Sequence, residues 1–129
     1  MNVVDSSGWL EYFAAGPNAD FFASAIESTT KLLVPAISLY EVFKRVAQQR
    51  DEDAALQAIA LMQQGRVIEL DSRLALTAAR ISLEYRLPMA DSMMLATASA
   101  HQAVFWTQDA DFKDVPGVKY KAKPGRSVT

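Results

Sequence analysis

Short apolar runs and longer stretches of helical period alternate along the whole chain. Val3-Val4, Leu32-Leu33-Val34, Val67-Ile68-Glu69-Leu70 and Val104-Phe105-Trp106-Thr107 are too short for helices and rich in β-branched and aromatic residues, as buried strands are. Between them, apolar residues recur at helical spacing. Trp9, Leu10, Tyr12 and Phe13 mark one helix, which Gly16-Pro17 is expected to stop; Phe21, Phe22, Ala25 and Ile26 mark the next. Val42, Phe43 and Val46 follow Ser38-x-x-Glu41, which has the form of a capping box. Leu56, Ile59 and Met62 follow the acidic start Asp51-Glu52-Asp53. Leu74, Ala78, Ile81 and Leu83 follow Asp71-Ser72, and Met94, Leu95 and Ala98 follow Met89-Ala90-Asp91. Val118-Lys119-Tyr120 reads as a last edge strand.

Strands alternating with helices of 10–15 residues predict βαβ units. The expected fold is a three-layer α/β/α arrangement with a central, mostly parallel sheet of four or five strands. With 129 residues and no repeat or linker before the tail, a single domain over 1–129 is expected, with 115–129 as a basic C-terminal edge strand and tail. In such folds ligands sit beyond the carboxyl ends of the strands, where strand order switches direction.

That edge is where four acids fall. Asp5 and Asp109 each follow an apolar run; Glu41 and Asp91 each sit in the predicted first turn of a helix. Each has a purely structural reading. Asp5 can be a helix cap, Glu41 the third-position acid of its capping box, Asp91 a carboxylate favoured by the helix dipole, and Asp109 the start of an Asx turn. Taken together, four carboxylates converging on one edge repel strongly unless a cation joins them. Oxygen-only, carboxylate-rich sites suit Mg²⁺ or Mn²⁺, and such ions serve phosphoryl transfer and activate water.

Composition narrows the alternatives. There is no Cys and a single His, His101 at a helix end. This removes disulfides and thiolate chemistry, leaves any Ser/His/Asp arrangement dependent on His101, and fits a reducing cytoplasm. No apolar run approaches a membrane span and no signal peptide is apparent. Glycine-rich nucleotide motifs and the nucleophile-elbow motif are absent. Residues 1–114 carry 9 Lys+Arg against 15 Asp+Glu, a net of −6, whereas 115–129 carry Lys119, Lys121, Lys123 and Arg126 and no acid. That segment is either a solvated terminus or a local phosphate-binding patch.

The sequence resembles PIN-domain ribonucleases, specifically the VapC-type toxins of bacterial toxin–antitoxin pairs. The resemblance rests on V-V-D-S-S (Val3 to Ser7), S-L-Y-E-V (Ser38 to Val42), L-P-M-A-D-S-M-M-L-A-T-A (Leu87 to Ala98) and W-T-Q-D-A-D-F (Trp106 to Phe112). It covers nearly the whole chain. It implies a PIN-like fold and an endoribonuclease in which a metal-activated water hydrolyses RNA. Asp5, Asp91 and Asp109 are then the Mg²⁺ or Mn²⁺ ligands, and Glu41 a ligand through water or an orienter of that water. Ser7 and Thr107 would hydrogen-bond the acids, and Asp111 either assists the metal or caps its turn, the turn being favoured. The resemblance further implies a homodimer and a separately encoded antitoxin lying along the early helices, with Trp9, Tyr12, Phe13, Phe21 and Phe22 as groove candidates. RNA contacts are expected from Lys44, Arg45, Arg50, Arg86, Lys119, Lys121 and the tail to Arg126. Two rival readings stand beside this one: a catalytically silent PIN-like module that binds RNA or protein, and a Mg²⁺-dependent phosphatase or phospho-acceptor domain.

Overall fold

A computed structural model describes residues 1–125, so Arg126 lies outside the described residues. The elements follow in the order β1 (Asn2–Val4), α1 (Ser6–Phe13), α2 (Ala19–Ile26), a 3-10 turn (Thr29–Lys31), β2 (Leu32–Pro35), α3 (Ala36–Gln49), α4 (Glu52–Met62), β3 (Arg66–Ile68), α5 (Ser72–Tyr85), α6 (Met89–Ala100), β4 (Val104–Thr107), a second 3-10 turn (Ala110–Phe112) and β5 (Val118–Tyr120). The strands form one sheet in the order β3-β2-β1-β4-β5, and every pairing is parallel. The expected α/β/α layering is present. From β1 the chain adds strands outward to β2 and β3, then returns to place β4 on the other side of β1. The switch point therefore lies between β1 and β4, where a parallel sheet opens a crevice for ligands.

Strand side chains alternate between faces, so neighbouring residues in a strand feed different cores. Val4, Leu32, Val34 and Trp106 face α1, α2, α3 and α4 and pack with Trp9, Phe22, Ile26, Val42 and Met62. Val3, Leu33 and Phe105 face the other way and pack with Leu87, Met94, Leu95, Ala98 and Phe112. Burial on both faces accounts for the nearly continuous apolar character of the central strands. Leu74 and Ala78 of α5 complete the second layer against Ala96 of α6.

Local chemistry sets the helix starts. Asp51 Oδ1 accepts from the Ala54 N–H and Asp71 Oδ1 from the Leu74 N–H, so α4 and α5 are capped by the expected acids. Asn18 stands at the cap of α2, but its side chain makes no cap bond and turns inward instead. Gly8 is required by close packing: a Cβ there would come within 2.6 Å of Phe22 Cε1 and 2.8 Å of Val4 Cγ1. This lets the first turn of α1 sit directly on the sheet.

Four sequence expectations shift. Helix α1 ends at Phe13, and the left-handed residue after it is Ala15 (φ 51°) rather than Gly16. A Cβ on Gly16 would meet the end of the Glu11 side chain, whose carboxylate accepts the Asn18 N–H at 2.8 Å. The third strand stops at Ile68 instead of reaching Leu70. Its partner β2 ends at Pro35, the last residue paired with it, and Glu69 and Leu70 are exposed. Helix α3 starts at Ala36, not at Ser38, so the predicted capping box does not form. Trp9 and Phe22, groove candidates by sequence, are wholly buried in the core; Tyr12, Phe13 and Phe21 are half-buried.

Candidate active site

The register Val4↔Trp106 places the next residues, Asp5 and Thr107, side by side at the carboxyl ends of β1 and β4. Asp5 occupies the position before α1, yet its side chain makes no cap bond. Its Oδ2 accepts instead from Thr107 Oγ1 at 2.7 Å and from Ser7 Oγ at 2.9 Å. Both hydroxyls engage the same oxygen, which leaves Oδ1 without either of them. Asp5 is 2% exposed. Burial pushes its carboxyl above the ordinary range; the hydroxyls of Thr107 and Ser7 pull the other way, and the Asp109 carboxylate adds to the rise.

Asp109 follows β4 by two residues. Its backbone N–H donates to Thr107 Oγ1 at 2.9 Å, and its Oδ1 accepts the Asp111 N–H at 2.9 Å. The expected Asx-type turn is therefore formed, with Asp109 rather than Asp111 as its side-chain acceptor. Asp111 stays exposed in that turn. Carboxylate oxygens of Asp91, Asp109 and Asp111 lie within 4.8 Å of one another.

Asp91 arrives from α6. In that helix Met94, Leu95 and Ala98 form the face buried on the sheet, and Asp91, one turn earlier, is the polar end of that face. Its carboxyl is pushed up to about 7. Burial is the largest cause, followed by the carboxylates of Asp5, Asp109, Glu41 and Asp111. Four carboxylates thus act on Asp91 besides its burial, so the acids of the cluster repel one another.

Glu41 lies in the second turn of α3, since that helix begins two residues earlier than expected. It is thereby free of cap duty. Its Oε1 accepts from Ser6 Oγ at 2.8 Å. Ser6 Oγ also lies 3.3 Å from Met94 Sδ, but one hydroxyl proton serves one acceptor, and the shorter bond to a charged oxygen prevails.

The four acids singled out in the sequence thus act on one another, and Asp111 joins Asp91 and Asp109 in the tightest group. Three further residues belong to the site without standing out in the sequence. Ser6 is visible there only as the first of the doublet Ser6-Ser7, which offers two hydroxyls beside Asp5. Gln108, buried between Thr107 and Asp109, places Nε2 3.4 Å from the Ser7 carbonyl and accepts from Asn18 Nδ2 at 3.0 Å. No sequence signal distinguishes Asn18 from an ordinary helix cap.

The expected RNA-contact residues are dispersed. Lys44 is exposed on α3 with its Nζ 5.7 Å from the Tyr40 ring centre, Arg45 is exposed beside it, and Arg50 follows the end of α3. Arg86 ends α5 in the left-handed conformation (φ 56°), three residues before the helix that carries Asp91. Lys119 and Lys121 lie at β5, with Nζ of Lys119 4.1 Å from the Trp106 ring centre and that of Lys121 5.8 Å from Phe21.

The donor set fits a hard divalent cation. It consists of carboxylate oxygens only, close enough to share an ion, and burial together with the neighbouring carboxylates disfavours the charge of Asp91, which an ion would offset.

Solved structures share this fold. A chain of a toxin–antitoxin complex from Klebsiella pneumoniae superposes with a TM-score of 0.78 at 20% identity, covering 92% of this chain and 95% of that one. The VapC20 toxin of Mycobacterium tuberculosis, a sarcin–ricin loop cleaving toxin, gives 0.75 at 18% identity over 92% and 98%. A chain of DNA-bound VapBC from Salmonella typhimurium gives 0.73 at 15% identity over 95% and 97%. At these identities the likeness establishes the fold. No curated protein sequence matches the chain significantly. The family model for the PIN domain matches residues 3–118, so this chain belongs to the PIN-domain family.

Proposed function

We propose that this protein is a Mg²⁺- or Mn²⁺-dependent endoribonuclease acting as the toxin of a toxin–antitoxin pair. The observation that carries the reading is the convergence of Asp91, Asp109 and Asp111 within 4.8 Å, with Asp5 and Glu41 acting electrostatically on Asp91. Asp5, Asp91 and Asp109 would hold the ion, with Asp111 placed to assist. When bound, such an ion supplies Lewis acidity at a phosphodiester and lowers the pKa of water. Ser7 and Thr107 fix Asp5 in one orientation, and Thr107 also anchors the backbone of Asp109. Glu41, held by Ser6, is the side chain placed to orient a water or accept its proton.

Lys44, Arg45, Arg50, Arg86, Lys119 and Lys121 are proposed as contacts to the RNA phosphates. A cognate antitoxin, encoded separately, is the proposed protein partner. A groove of mixed polarity between α1, α3 and α4, lined by Leu10, Phe13, Val46, Gln49, Arg50 and Leu61, supports a site for its segment. A homodimer and a cytoplasmic location complete the reading. Among the described residues no helix is long and apolar enough to cross a membrane.

The test is cleavage of a mixed-sequence RNA by purified protein with Mn²⁺, with Mg²⁺ and with chelator. Cleavage that requires the ion and disappears in Asp5→Asn and Asp91→Asn, with the fold intact, is expected. Undiminished cleavage by those variants refutes the site. Ion binding without any cleavage points to a silent binding module instead.

A further inference from the structure

Two amide side chains are buried near the acids, and neither is hydrogen-bonded to a carboxylate of the site. Asn18, the residue before α2, is 2% exposed, and Gln108, between Thr107 and Asp109, is 5% exposed. An amide is costly to bury unless its polar atoms are met, so the partners of these two show what they are placed to do. We propose that Asn18 and Gln108 are positioning residues for the acid site, tying the chain beyond β5 to the first turn of α1 and so fixing the seat of Asp5. This deepens the ribonuclease reading and rests on it for the ion.

The bonds run in one direction. A backbone carbonyl only accepts, so the Ala122 carbonyl, 3.1 Å from the Asn18 amide, faces its Nδ2. The other proton of Nδ2 goes to Gln108 Oε1 at 3.0 Å. Gln108 is oriented in turn. Its oxygen is committed to Asn18, and its Nε2 points to the Ser7 carbonyl at 3.4 Å, the longest link of the relay. Two backbone acceptors, Ala122 late in the chain and Ser7 at its beginning, thus decide the orientation of both amides. Asn18 is also anchored through its own N–H, which donates to Glu11 Oε2 at 2.8 Å.

The inner end of the relay gives it a consequence. Asp5 Oδ2 is seated by two hydroxyls, that of Thr107 at 2.7 Å and that of Ser7 at 2.9 Å. They come from different elements, β4 and α1, so their separation depends on what joins the two. Gln108 follows Thr107 directly and reaches across to the Ser7 carbonyl, which ties together the backbones that carry both hydroxyls. At the outer end the Lys121 N–H donates to the Thr107 carbonyl at 3.1 Å. The segment after β5 therefore holds Thr107 directly and Ser7 through two amides. Breaking the relay releases the Ser7 side of the seat, while Thr107 keeps its place in the sheet. Asp5 then loses orientation, which lowers the affinity for an ion.

The experiment is a double-mutant cycle on the full chain, read by calorimetric titration with Mn²⁺ and by melting temperatures in chelator. Its corners are wild type, Gln108→Met, Ser7→Ala and the double variant; Met has nearly the length of Gln and lacks the amide. Gln108→Met should lower Mn²⁺ affinity about tenfold, the low end of the scale for groups that orient metal ligands. In the Ser7→Ala background, where no Ser7 hydroxyl remains to be positioned, the same change should lower it less than about threefold, with a similar fall in melting temperature in both backgrounds. A merely structural Gln108 would lower the affinity by the same factor in both. Asn18→Ala, one link further out, should repeat the pattern against Ser7→Ala and add nothing to Gln108→Met, so the cycle closes through either amide should one variant not fold. Equal factors with and without the Ser7 hydroxyl overturn the proposal, as does unchanged Mn²⁺ affinity in the folded single variants. The ribonuclease reading is judged separately, by wild-type cleavage of RNA with Mn²⁺. The expected cycle without cleavage supports the relay and sinks that reading, cleavage with equal factors does the reverse, and a wild type that binds no Mn²⁺ overturns both.

Discussion

Thr107 Oγ1 donates a 2.7 Å hydrogen bond to Asp5 Oδ2, and the same hydroxyl oxygen accepts the Asp109 N–H at 2.9 Å. Because the backbone donor takes the lone pair, the hydroxyl proton is directed at Asp5. One side chain thus orients two acids from opposite ends of the chain. Thr107→Val keeps the shape and removes both bonds. It should weaken Mn²⁺ binding by about 10–100-fold, the scale for groups that orient metal ligands. Stability should fall by about 1–3 kcal/mol, because the buried Asp5 carboxylate and the part-buried Asp109 N–H both lose a partner. Calorimetric titration with Mn²⁺ and denaturant melts measure the two effects; equal Mn²⁺ affinity would remove Thr107 from the site.

Burial, and then four neighbouring carboxylates, oppose the charge of Asp91. Asp91→Asn should therefore raise the melting temperature in chelator while abolishing ion-dependent cleavage, a loss of about 100-fold or more. The opposite signs are diagnostic. A purely structural acid in the first turn of α6 would lose stability on this change, through the helix dipole.

Two folded-state carboxyls, Asp5 and Asp91, have raised pKa values, that of Asp91 reaching about 7. A carboxyl that binds its proton more tightly in the folded state contributes stability below its unfolded pKa, and this is lost as pH rises through the folded value. For Asp91 the window runs from its ordinary 3.8 to about 7. The contribution of Asp91 should thus lower the melting temperature of metal-free protein between pH 5 and about 8. Mn²⁺ must displace the proton, so its affinity should rise with pH and level off above about 7. A flat pH dependence of both in wild type, matching Asp91→Asn, would contradict a proton held this tightly.

Ser6 holds Glu41 through a 2.8 Å bond. Ser6→Ala should lower kcat about tenfold or more with little effect on Mn²⁺ affinity, since the role proposed for Glu41 is to orient water rather than to bind the ion directly. Ser7→Ala acts on Asp5 and should show the reverse pattern, with Mn²⁺ affinity reduced. Single-turnover cleavage together with titration separates the two serines.

Gly8 has no room for a side chain between Phe22 and Val4. Gly8→Ala should destabilise the fold by about 1–3 kcal/mol through overpacking. Because Ser6 and Ser7 share its helix turn, Mn²⁺ affinity should drop as well. Chemical denaturation checks the first effect, and wild-type stability would mean that α1 moves freely against the sheet.

Alternating apolar runs and helical periods are local properties, so the order of strands and helices is legible from the sequence, as are the caps Asp51 and Asp71. Element ends are less so. The third strand stops early because Pro35 ends its partner, and α3 starts early because it follows that strand without a loop. Neither boundary is encoded in the residues on its own side alone.

The sequence by itself determined that Asp5, Glu41, Asp91 and Asp109 stand at or near strand ends and helix starts, because residue type and spacing fix those local positions. Tertiary structure decided the rest. The parallel register of β1 and β4 put Asp5 opposite Thr107, the turn after β4 drew Asp111 toward Asp91, and packing of α1 gave Ser6 to Glu41. The sheet edge likewise carried Lys119 to the Trp106 ring and Lys121 toward Phe21. The reason is physical: which carboxylates share burial and repulsion depends on distances across the fold, and those are set when the sheet closes its two cores.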